Sequence, residues 1–188
     1  MTRVLGISGS LREASYNRAL LRAAQELAPP GMEIELYDVG HLPFYDGDVE
    51  AAGAPESVEG FRDSIREADA LLVATPEYNR GTSGVLKNAI DWASRPPRQS
   101  VLDGKPVALM GATTGISGTA NAQRQVRESL LFPGAQTLPD ELLVARAQER
   151  FDEQLKLTDL RTRAELAHLL ASLEAWLVQV REALAAAA

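Results

Sequence analysis

Three short apolar runs, Arg3–Ser8, Ala70–Thr75 and Lys105–Ala112, each stop at a loop rich in Ser, Thr, Gly or Pro. Each loop leads into a segment of helical periodicity: Asn17–Leu27, Gly84–Ala93 and Ala120–Leu131. Continuous apolar runs without in–out alternation suit strands buried on both faces. Strands of that kind alternating with helices predict a parallel sheet covered by helices on both sides. Right-handed crossovers then bring the loops that follow the strands to one edge, where open α/β sheets bind ligands. The place of a site is therefore constrained before any motif is considered.

The rest of the chain completes this pattern. Glu33–Tyr37 alternates like a second strand, and Phe61–Ala68 reads as a helix. Asp38–Ser57, with Gly40, Pro43, Gly47, Gly53 and Pro55, is expected to cross the surface irregularly. Within it, the aromatics of Leu42–Tyr45 suit either a subunit interface or the wall of a substrate pocket. Arg95–Asp103 is a polar connection, while Ala135–Leu138 and Glu141–Val144 are two short strand candidates. Thr158–Leu184 is a long helix with Leu166, Leu170, Leu173, Leu177, Val180 and Leu184 on its apolar face. At 188 residues, with no linker or repeat, residues 1–188 are expected to form one domain.

Composition removes several functions. A formal charge of −7 argues against partnership with nucleic acid or an anionic membrane. The absence of cysteine excludes a thiol nucleophile, an Fe–S cluster and a thiolate zinc site. No run of about 18 apolar residues occurs, so no bilayer span is expected and a cytoplasmic protein is the default. His41 and His168 are isolated, and Asp46–Glu50 lacks the register of a calcium loop, so no metal site is expected.

The first loop, Ser8 to Arg18, offers serine hydroxyls, free amides at a helix N-terminus, the Asn17 amide and the Arg12 guanidinium. A phosphate dianion is held by this mixture of short-reach donors and a positive helix end. Neither G-x-x-x-x-G-K-[ST] nor G-x-G-x-x-G is present. The bland alternative is a capped helix, with Ser15 or Asn17 as the cap. The extra serines and Arg12 favour a phosphate. After the central strand, Pro76 stiffens a turn in which Tyr78 and Asn79 supply a flat face and amide groups, suited to a planar heterocycle. Lys87, Asn88 and Asp91 read as solvated or capping groups, and Trp92 as core.

Gly6–Arg12, Ser15, Asn17, Pro76–Asn79 and Leu86–Trp92 together closely resemble the NADPH-dependent FMN reductase family, which includes flavodoxin-like quinone, chromate and azo reductases. The resemblance runs from Val4 to about Pro139. It implies a flavodoxin-like three-layer α/β/α sandwich with a five-stranded parallel sheet. It also implies FMN as cofactor, with Ser10, Arg12, Ser15, Tyr16 and Asn17 around the phosphate. Pro76, Glu77, Tyr78 and Asn79 would border the isoalloxazine, and Thr114, Gly115 and Ser117 would form a third flavin-facing loop. NADPH or NADH would be the co-substrate and a small molecule such as a quinone, azo compound, metal oxyanion or free flavin the acceptor. A homodimer or homotetramer is implied as well. Two departures stand out. Gly81 occupies a position where the family usually has Ser, and Ser83 one where it usually has Pro. Gly81 removes a donor, and Ser83 is expected to loosen the turn.

With FMN performing the electron transfer, no side chain is required as acid or base, and no catalytic residue is assigned. A flavodoxin-type electron carrier, holding FMN without a nucleotide site, is the alternative. A flavin-binding regulatory protein without turnover is a third possibility, suggested only by Gly81 and Ser83.

Overall fold

The computed structural model describes residues 1–187. Five parallel strands form the sheet: β1 (Thr2–Ser8), β2 (Met32–Tyr37), β3 (Ala70–Ala74), β4 (Pro106–Ala112) and β5 (Gln136–Val144). Their order is β2-β1-β3-β4-β5, the flavodoxin-like winding, with its topological switch between β1 and β3. The helices are α1 (Tyr16–Leu27), α2 (Gly47–Ala52), α3 (Glu56–Glu67), α4 (Gly84–Ala93), α5 (Ala120–Leu131) and α6 (Leu160–Ala187).

The apolar runs sort residue by residue onto the two faces of the sheet. Val4, Leu72, Ala108 and Met110 pack under α1 and α6. Leu5, Leu71, Val73, Val107 and Leu109 pack under α3, α4 and α5. All five residues of β3 are buried, because a central strand covered on both faces has no solvent side. Each leucine withdrawn from water in this way contributes about 1.5–3 kcal/mol. Proline punctuates the helices where expected: α1 stops at Ala28, just before Pro29 and Pro30.

Four expectations need correction. The two short strands after α5 are one strand, β5. Its pairing with β4 passes from Val107↔Thr137 to Leu109↔Glu141, so Leu138–Asp140 bulge out of the ladder. Pro139 has no N–H to give to that ladder, and the bulge absorbs the gap. The stretch Asp38–Ser57 is also more regular than its composition suggests. A single 3₁₀ turn at Val39–His41 and α2 are each nucleated by an aspartate, Asp38 accepting from the Gly40 N–H at 3.0 Å and Asp46 from that of Asp48 at 2.8 Å. The helix expected from Phe61 begins at Glu56. Finally, Leu166, Leu170, Leu173, Leu177 and Val180 are buried along α6, but Leu184 is half exposed beside Gly104, past the start of β4. Among the described residues, no helix is long and apolar enough to cross a membrane.

Candidate functional site

The loops after β1, β3 and β4 meet at the carboxyl edge of the sheet, and polar bonds stitch each to the next. In the first, the Gly9 N–H donates to the Ala74 carbonyl (2.9 Å), holding the loop against the end of β3. Ser10 and Ser15 are buried. Ser15 caps α1 by accepting from the Arg18 N–H (3.3 Å), so the capping alternative is correct for this residue, whose hydroxyl proton remains available. The Ser10 hydroxyl and the backbone N–H groups of Tyr16 and Asn17 have no partner among the described residues. Together they form a small set of converging donors at a positive helix end. Arg12 is exposed beside them and makes no ion pair among the described residues.

Asn17 does something its sequence position does not reveal. Its Nδ2 donates to the Ala112 carbonyl (3.0 Å) and its Oδ1 accepts from the Ala112 N–H (2.9 Å). The side chain clamps α1 to the end of β4, and one Nδ2 hydrogen is left over. The Tyr16 ring packs on Phe151 (centroids 5.3 Å), so its offering at the loop is the backbone N–H.

The second loop is a small hairpin. Tyr78 and Gly81 exchange two backbone bonds of 2.9 Å, and Asn79 and Arg80 between them both adopt left-handed backbone, φ 51° and 61°. Two positive φ values in a row define a type I′ turn. The hairpin is anchored by Thr75 Oγ1 to Thr82 Oγ1 (3.0 Å) and by the Thr82 N–H donating to Gln125 Oε1 (2.7 Å). Ser83 does not loosen the turn. Its hydroxyl donates to the Gly9 carbonyl (2.6 Å) and accepts from the Leu86 N–H (3.2 Å), capping α4 and tying the second loop to the first. A proline could do neither.

Glu77 joins the second loop to the third. Its Oε2 accepts from the Asn121 N–H (2.9 Å) and the Ala122 N–H (3.3 Å), and its Oε1 from Asn121 Nδ2 (3.2 Å) and Ser117 Oγ (3.3 Å). The residue preceding α5, Thr119, makes no side-chain cap, so Glu77 caps that helix from another element. Burial pushes the Glu77 carboxyl up, but the bonds from Asn121, Ala122 and Ser117 outweigh it and hold the group below the usual glutamate range.

In the third loop Thr114 and Gly115 are exposed and Ser117 is half-buried on Glu77. The loop is backed by the segment after β5, where the N–H groups of Arg146 and Ala147 donate to Gly115 and Thr113 (2.9 Å each). Gly111 permits the close approach of loop and strand: a Cβ there would lie 2.0 Å from Thr119 Oγ1 and 2.5 Å from the Thr75 carbonyl. Pro76 is buried at the base of the crevice, with Tyr78 and Asn79 exposed at its lip.

Several partners were not legible in advance. Gln125, Asn121 and Arg146 act through contacts across the fold, and no local pattern announces them. Asn88 is neither a solvated nor a capping group: it pins the Pro43–Tyr45 segment by accepting from the Tyr45 N–H (2.7 Å) and donating to the Pro43 carbonyl (2.9 Å). Trp92 is buried as core, and its Nε1 donates to the same carbonyl (2.8 Å). Lys87 and Asp91 form a surface pair (2.6 Å).

A doubly wound parallel sheet with a hydroxyl-rich loop at its switch point defines a protein of the flavodoxin-like class. The model of the family described as NADPH-dependent FMN reductase matches residues 2–149. An NAD(P)H-dependent FMN reductase of Pseudomonas aeruginosa is 51% identical over 180 residues, covering 95% of this chain and 97% of the relative. A quinone reductase of Pseudomonas putida is 42% identical over 171 residues, with 90% and 91% covered. Among solved structures, FerB, a flavoenzyme NAD(P)H:(acceptor) oxidoreductase from Paracoccus denitrificans, superposes with a TM-score of 0.84 at 37% identity, covering 95% of this chain and 98% of that one. The chain belongs to the NADPH-dependent FMN reductase family.

Proposed function

We propose that the protein is an FMN-dependent NAD(P)H oxidoreductase, built on residues 1–188 as one flavodoxin-like domain. The observation that carries this reading is the stitched crevice: Ser83 on Gly9, Asn17 on Ala112 and Glu77 on Ser117 and Asn121 make three loops one rigid frame. The residues present suit FMN. Ser10, Ser15, the N–H groups of Tyr16 and Asn17, and Arg12 would hold the phosphate, which wants converging donors and positive charge. Pro76, Glu77, Tyr78 and Asn79 would border the flavin ring on one side and Thr114, Gly115 and Ser117 on the other. Bound there, FMN supplies the redox chemistry, accepting hydride from the nicotinamide and delivering electrons to the acceptor.

The protein's part is placement and field. Backbone N–H groups near Asn79 and Ser117 favour negative charge on the ring. Solvent can protonate the reduced products, so no side chain is required as acid or base. If one open face of bound FMN must serve both donor and acceptor, double-displacement kinetics follow. The relatives named quinone reductase support a quinone as the small-molecule acceptor. A nicotinamide donor supports a cytoplasmic location. A second copy of the chain is supported by Phe132, which is 96% exposed, and Leu131 beside a groove of about 630 Å³ between α4 and the end of α5. Freshly purified protein should be yellow, bleach on mixing with NADPH and recover its colour with a quinone. Colourless protein that takes up no added FMN would overturn the reading.

A further inference from the structure

We infer that Arg80 and Arg146 are specificity-determining residues that hold the phosphate groups of the incoming nicotinamide dinucleotide. The inference rests on the reductase reading above. Both residues are exposed, and neither guanidinium makes a hydrogen bond or ion pair among the described residues. Both have left-handed backbone, φ 61° at Arg80 and 49° at Arg146, a conformation that glycine or asparagine adopts at lower cost. Arginine stands at both positions although the backbone disfavours it, and strain of this kind gathers at ligand clamps.

Both are also fixed to the crevice. The turn carrying Arg80 is closed by the Tyr78–Gly81 pair and anchored through Thr82 to Gln125. The N–H of Arg146 is bonded to Gly115 in the third loop. Glu77 joins these two loops, so the cations flank one seam, the seam that would border the flavin ring. Glu77, the acidic group that ties these two loops together, is taken up by α5 and pairs with neither arginine among the described residues.

The chemistry of the partners selects the ligand. The FMN phosphate is served by the first loop and needs neither arginine. A quinone is uncharged and gains nothing from a cation. The dinucleotide carries a diphosphate, and NADPH a further 2′-phosphate, groups that a guanidinium grips through paired N–H donors. On a chain of formal charge −7, two unneutralised cations at the mouth also draw that anion inward.

The test uses Arg80→Asn, Arg146→Asn and the double variant, since asparagine keeps the left-handed backbone while removing the charge. FMN-loaded protein is titrated calorimetrically with adenosine 2′,5′-bisphosphate and with ADP, and mixed rapidly with NADPH and NADH. Each single change should weaken nucleotide binding about tenfold or more, as loss of a charged hydrogen bond does, with FMN affinity unchanged. Loss confined to the bisphosphate and NADPH assigns the contact to the 2′-phosphate, and equal loss with every nucleotide assigns it to the diphosphate. Either result supports the inference. Wild-type bleaching by NADPH that is matched by all three variants, with unaltered titrations, overturns this inference alone. Wild-type protein that binds no FMN, or whose flavin neither nucleotide bleaches, removes the reductase reading and this inference with it.

Discussion

Arg12 and Glu77 illustrate two ways in which a charged side chain serves one site. Arg12 is exposed, makes no ion pair among the described residues and lies beside donors without a partner there, so its proposed contribution is realised only when an anion arrives. Arg12→Ala should weaken FMN binding about 10- to 100-fold, the equivalent of roughly 1.5–3 kcal/mol, while leaving the apoprotein's melting temperature unchanged. Flavin fluorescence quenching measures the first and thermal denaturation the second. Glu77 is spent within the fold. Its folded-state pKa lies below the unfolded value, so its stabilisation is present above about pH 4.3 and is lost as pH falls through the depressed folded value. Wild-type thermal stability should therefore drop on acidification below that point. Glu77→Gln should lower stability at neutral pH and flatten this part of the profile. An unaltered profile in the variant would show that other carboxylates dominate.

Between elements, what matters is the fit of loops to strand ends. Gly111 and Gly81 both sit close to a neighbour, but the neighbours differ in what they can do. A Cβ at Gly111 meets the Thr75 carbonyl and Thr119, which is itself buried and left-handed at φ 73°, and nothing there can give way. A Cβ at Gly81 would lie 2.9 Å from Gln125 Oε1, the end of a flexible side chain. Gly111→Ala should therefore cost several kcal/mol, of the order seen for overpacked cores, and abolish flavin binding, whereas Gly81→Ala should cost less than about 1 kcal/mol. Urea unfolding separates the two. At Ser83, loss of the hydroxyl removes a helix cap and the tie to Gly9 together, so Ser83→Ala should cost about 1–2 kcal/mol in the same experiment.

At the scale of the molecule, the helices on one face of the sheet leave Leu131 and Phe132 bare at the end of α5. An apolar pair this exposed beside a groove is better covered than solvated. Light scattering should give a dimer or tetramer, and Phe132→Asp should shift it toward the monomer without changing the flavin spectrum. A wild-type monomer at micromolar concentration would dismiss the assembly.

The strands, their parallel pairing and the edge where the loops gather were legible in the chain, because apolar runs, helical spacing and loop chemistry are local properties and parallel topology follows from them, while the flavodoxin-like winding came with the family resemblance. Ser15 as a cap and Trp92 as core belong with these. The tertiary structure alone decided what the polar groups do. Asn17 reaches 95 residues along the chain to Ala112, Ser83 reaches 74 to Gly9, and Glu77 reaches 44 to Asn121. A hydrogen bond is set by distance in space, and one-dimensional spacing carries no record of which distant backbone group will lie 3 Å away. The same limit joined Ala135–Leu138 and Glu141–Val144 into a single strand, since only pairing with β4 defines a bulge.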